Sequence, residues 1–195
     1  MAELLYPFHL QYPKFNILSN MNVHPLLVHF PIALLTLYAV CELIRFKKVT
    51  AKHYWFHVKA ILIIAGLVTA ELALVSGEAI ERMFKDDNPI KDMIVPVHSA
   101  SAEGTIGIFL ILAISYLVLW IEYDSSKKFL VKYPSLANPW KRLIKIAKWI
   151  TDTPVSLVLA IIGIVGITIT GALGAAMVHG PEVDPFVSFV YHLFF

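Results

Sequence analysis

Residues 155–178 read VSLVLAIIGIVGITITGALGAAMV, a run without a single charge. An α-helix rises 1.5 Å per residue, so about 20 apolar residues cross the hydrocarbon layer of a bilayer. This run meets that requirement, and so do Leu26–Arg45, Val58–Gly77 and Gly104–Tyr123. A water-soluble core can hide one such segment. Four of them in 195 residues leave too little polar chain to cover them. Composition agrees: 58% of the chain is hydrophobic and 15% charged, against about 25% charged in a soluble domain. Proline-marked helix starts near Pro96 and at Thr153-Pro154 extend the last two segments. The expected fold is an all-α integral membrane protein of one domain, residues 1–195, with spans at about 26–45, 58–77, 96–123 and 154–179. Short connections predict an antiparallel four-helix bundle.

The charge distribution orients this bundle. Arg45, Lys47, Lys48, Lys52 and Lys59 lie between the first two spans, and Lys127, Lys128, Lys132, Lys141, Arg142, Lys145 and Lys148 between the last two. These are 12 of the 16 basic residues. The positive-inside rule makes both connections cytoplasmic, so both termini are expected outside a prokaryotic inner membrane. Residues 140–150 carry Leu143, Ile144, Ala147 and Ile150 at helical spacing with basic residues between, as an amphipathic helix on the anionic leaflet does. The N-terminus lacks the pattern of a signal peptide. The single cysteine, Cys41, excludes internal disulfides and a thiolate cluster, and no C-x-x-C-H run attaches haem covalently.

Four histidines fall at span ends on the extracytoplasmic side: His24 and His29 opening the first, His98 opening the third and His179 closing the fourth. Histidine is the commonest metal ligand, and intramembrane ionisable groups are functional candidates. A lone helix-end histidine is ordinarily an interfacial or capping residue; four delivered to one layer from separate spans point to ligation. Small residues lie beneath three of them on their own helix faces: Ala33 and Thr36 under His29, Ala102 and Thr105 under His98, Ala175, Ala172 and Thr168 under His179. That leaves room for a planar ring, although small residues also serve close helix packing. Pro31 is expected to kink the first helix and free a carbonyl near His29. Glu71 and Glu78 share a face of the second span. Glu71 reads as a hydrogen-bond partner of a ligand histidine, as a direct ligand, or as a neutral acid bonded to a neighbouring helix, whereas Glu78, at a helix end, reads as solvated or as a further partner or ligand. His53 and His57 belong to the basic connection and read as solvated. No Glu-x-x-His pair, H-E-x-x-H, G-x-S-x-G or phosphate loop is present. The basic residues flank membrane spans, which argues against nucleic-acid binding.

The run His24-Pro25-Leu26-Leu27-Val28-His29-Phe30-Pro31-Ile32 resembles the opening signature of a family of four-helix prokaryotic membrane proteins of unknown function. The likeness extends over roughly residues 22–181 through Ser76-Gly77-Glu78, His98 and His179-Gly180. That family in turn resembles the two-haem transmembrane b-type cytochromes. The resemblance implies electron transfer through one or two b haems held by paired histidines, by a protein that has no substrate chemistry of its own. It also implies an extracytoplasmic redox partner such as a c-type cytochrome; the membrane-side electron partner is expected to be a quinol or another membrane component. In the related cytochromes the ligands lie at both membrane faces, whereas here they gather at one.

The leading expectation is therefore a membrane b-type cytochrome with His29, His98, His179 and His24 as axial ligands, and Thr36, Ser99, Ser101 and Glu71 as candidate partners of the ligands. Two alternatives use the same residues. One holds copper or zinc on the histidines with Glu71 or Glu78, since imidazole suits both metals. The other is a structural or assembly subunit anchored by its helix-end histidines.

Overall fold

The computed structural model describes residues 23–44, 46–50, 52–83, 89–124 and 134–195. Among them no strand occurs. The helices are α1 (His24–Leu27), α2 (His29–Leu43), α3 (Lys47–Thr50), α4 (His53–Met83), α5 (Pro89–Asp124), α6 (Ala137–Asp152), α7 (Val155–His179) and α8 (Pro185–Tyr191). Four stretches are long and apolar enough to cross a membrane: His24–Leu43, which joins α1 and α2, then His53–Glu81, Asp92–Asp124 and Val155–His179. Their number is the expected four. Leu37, Val68, Ile114 and Val165 stay exposed along them, as a surface meeting lipid requires.

Local chemistry sets the helix ends. Pro25 sits in the first turn of α1, where its missing N–H has no partner to lose. Pro31 removes the N–H that would reach Leu27, and the helix is interrupted at Val28 between α1 and α2. Val28 keeps helical dihedrals, φ −64° and ψ −24°. The third span starts earlier than the sequence suggests: α5 begins at Pro89 and carries Pro96 within it. His98 therefore lies well inside a helix instead of in its first turn. Gly180, at φ 93°, ends α7 in a conformation that a side chain would resist.

Around the bundle the first span neighbours the second and fourth, and the third neighbours the same two. His24 lies against Gly77 and Leu35 against Gly66, while Glu42 meets Lys59. Positions rising along the first span thus meet positions falling along the second, so these two run in opposite directions. His98 against Gly174 and Phe109 against Gly163 repeat the relation in the second hairpin. The close approaches need glycine: a Cβ on Gly163 would stand 2.5 Å from the Phe109 ring.

The two hairpins are copies of one plan. A shift of 74 residues carries the buried positions Pro31, Leu35, Tyr38, Ala39, Cys41 and Glu42 onto Thr105, Phe109, Leu112, Ala113, Ser115 and Tyr116, all buried as well. A shift of 97 carries Lys59, Gly66, Ala73 and Gly77 onto Ser156, Gly163, Thr170 and Gly174. Both hairpins begin at the histidine end, so they form a parallel repeat about an axis along the bundle.

Two further elements close the ends. The amphipathic helix is α6, with Lys141, Arg142, Lys145 and Lys148 exposed and Ala147 and Ile150 buried. The Trp140 indole donates to Glu122 of α5 at 2.8 Å. At the opposite end Asp184 caps α8, accepting from Phe186 N at 2.8 Å and Val187 N at 2.9 Å. Val187 and Val190 pack with Ile94, Ala172, Leu173 and Ala176. The aromatic tail thus covers the histidine ends of the third and fourth spans.

Candidate functional site

The repeat places His24 and His98 at equivalent points of the two hairpins, and each imidazole leans on the opposing helix in the same way. His24 Nδ1 lies 3.0 Å from the Ala73 carbonyl and 2.9 Å from Ser76 Oγ. His98 Nδ1 lies 3.0 Å from the Thr170 carbonyl. A carbonyl oxygen can only accept, so Nδ1 carries the proton in both rings. In the neutral imidazole this puts the lone pair on Nε2.

A glycine one turn beyond each carbonyl makes the fit possible. A Cβ on Gly77 would come 3.1 Å from Cε1 of His24, and one on Gly174 would come 3.4 Å from Cε1 of His98. Ser76 also donates to the Ala73 carbonyl at 2.7 Å, and Ser101 pairs with the Thr170 hydroxyl at 2.9 Å. Both histidines are half-buried.

The other sequence candidates lie elsewhere. His29 is exposed and donates from Nδ1 to the Pro25 carbonyl of its own helix. His179 is exposed at the last turn of α7. Glu71 and Glu78 are exposed on α4, while Thr36 and Ser99 are half-buried. His57 bonds to the His53 carbonyl at 3.2 Å and packs edge-on against Trp120, at the basic end. Among the described residues no group of three or more His, Cys, Asp or Glu side chains is placed to hold a metal ion together.

A second polar centre was not anticipated from the sequence. Glu42 is 1% exposed and accepts from all four spans: from Tyr38 at 3.0 Å, Lys59 at 3.1 Å, Tyr116 at 2.6 Å and Ser156 at 3.2 Å. The repeat pairs Glu42 with Tyr116 and Lys59 with Ser156, so this cluster also lies on the internal axis. It forms a wall of a cavity of about 390 Å³ at the basic end, beside Trp55, Tyr123 and Asp152. Glu42 stands 18 residues beyond His24, or about 27 Å along the helix. Leu35, Tyr38, Phe109 and Leu112, each at most 2% exposed, fill the space between. The signal was present in the buried stripe Pro31, Leu35, Tyr38 and Glu42, whose spacing is helical.

These features are the frame in which the comparisons with known proteins fall. The spans, the inward histidines and the shared axis describe a helical membrane protein built from two similar hairpins. The family model of DUF2231, a predicted membrane protein family, matches residues 20–185, and the chain belongs to that family. No curated protein and no solved structure gives a significant match.

Proposed function

We propose that this chain is a membrane b-type cytochrome in which His24 and His98 hold one haem near the extracytoplasmic end of the bundle. The supporting observation is the matched pair of imidazoles, each donating Nδ1–H to a main-chain carbonyl of the opposing helix. Such a bond fixes the tautomer and the ring plane and raises the basicity of Nε2, the nitrogen that would hold the haem iron. A bound haem would supply a one-electron couple. The carbonyls of Ala73 and Thr170 hold the rings. Gly77 and Gly174 leave space for them, and the packed layer of Leu35, Phe109, Tyr38 and Leu112 closes the site from the basic end.

Two ligands suffice for a haem, whereas copper or zinc on protein side chains needs three or four. The described residues offer no such group, which favours the haem reading over the non-haem alternative. The basic connections turn the histidine end outward. The electron partner is then an extracytoplasmic redox protein such as a c-type cytochrome, with a quinol as partner within the membrane.

A reduced-minus-oxidised visible spectrum of the purified protein tests this reading. We expect a Soret and α-band difference that His24→Ala and His98→Ala each abolish and His53→Ala preserves. Stoichiometric copper or zinc without those bands supports the non-haem alternative. Absence of both leaves a structural subunit.

A further inference from the structure

His29, Glu71 and Glu103 are exposed within stretches that cross the membrane. Glu71 lies ten residues inside the end of its span at Glu81, and Glu103 eleven inside the start at Asp92. Among the described residues neither carboxyl group has a hydrogen-bond or ion-pair partner. Their surroundings are apolar; Val68, Leu72 and Val75 flank Glu71 and are exposed with it. Ionisable groups at this depth ordinarily face a bundle interior or pair with one another, so a surface carrying two of them is poorly suited to lipid.

The three groups share one depth. His29 follows His24 by five residues and Glu103 follows His98 by five, which sets each about 7.5 Å below the histidine layer. Glu71 lies two residues below Ala73 and six below Gly77, the neighbours of His24, so about 3 to 9 Å down. The shift of 74 residues that carries His24 onto His98 also carries His29 onto Glu103. The internal two-fold relation therefore puts a base on one flank of the bundle and an acid at the matching point of the opposite flank. Beside Glu103, nothing lies within 4 Å of where a Cβ on Gly104 or Gly107 would be, as an approach surface for another helix requires.

We propose that copies of this chain associate head to tail within the membrane, His29 of one copy meeting Glu103 of the next. Contacts between two different flanks close into rings when the rotation permits. The occupant is a second copy because the complementary group sits on the same chain at the same depth. This inference does not depend on the haem reading.

The test uses the full chain in lipid nanodiscs, with Cys41→Ser as background. A chain with His29→Cys mixed with one carrying Glu103→Cys should form a hetero-dimer with a short bis-maleimide, and neither alone should. Native mass spectrometry should show a discrete oligomer for the unmodified chain. His29→Glu should reduce it to monomer, and adding Glu103→His to the same chain should restore assembly. A monomeric unmodified chain, a His29→Glu chain that stays assembled, or cross-linking of position 103 to a different protein in place of position 29 would overturn the proposal.

Discussion

A carboxyl group that meets one donor from each of four spans cannot be removed without loosening contacts among all of them. Replacing Glu42 by alanine takes the carboxylate acceptor from the half-buried Lys59 ammonium and the buried Tyr116 hydroxyl. The loss expected is about 3–5 kcal/mol, measured by unfolding in micelles; glutamine, which keeps an acceptor oxygen, should cost less. Glycines should divide by their surroundings. Gly163→Ala drives a methyl group into the Phe109 ring at 2.5 Å and should cost about 1–3 kcal/mol. Gly107→Ala meets nothing within 4 Å and should be neutral or stabilise the isolated chain by up to about 1 kcal/mol. At this scale the sequence is read unevenly. His24 and His98 are visible as helix-end histidines, but nothing in one-dimensional spacing separates them from His29 and His179. The distinction comes from carbonyls more than 45 residues away, Ala73 and Thr170. Glu42 hides for the opposite reason: it stands beside the basic connection, where a charged residue looks solvated.

Spans are the most legible elements, because crossing hydrocarbon demands an apolar length that few other structures need. Their ends are less so. The start of α5 precedes the expected one because a proline within the first turns removes only one bond, so Pro96 marks no boundary, and Pro89 supplies the start. The tail was readable as aromatic but not as docked, since its anchoring depends on the cap at Asp184 and on distant apolar partners. Asp184→Ala should release α8 by about 1 kcal/mol, seen as faster hydrogen exchange at Val187–Tyr191. Nearby, the Ser188 hydroxyl and then His192 hold the exposed Glu182 carboxyl below its ordinary 4.5. A depressed carboxyl contributes above its unfolded value and loses that contribution as pH falls through the folded one. Exchange in α8 should therefore quicken as the medium is acidified below about pH 4.5, and Glu182→Gln should remove that dependence.

At the scale of the whole molecule, two hairpins of one plan enclose an axis with histidines at one end and the Glu42 cluster at the other. The repeat lies in burial and glycine register more than in residue identity, since Leu35 answers to Phe109 and Glu42 to Tyr116. Sequence inspection by residue type passes over it. Through it two imidazoles from different hairpins occupy equivalent positions, with the packed layer of Leu35, Tyr38, Phe109 and Leu112 beneath them. The most direct measurement is haem titration of the purified apo-protein and four single variants, followed at the Soret band. One haem per chain should bind, with His24→Ala and His98→Ala each failing to form the six-coordinate spectrum and His29→Ala and His179→Ala retaining it. Binding that survives loss of both His24 and His98, or that fails equally in all four variants, would contradict the account.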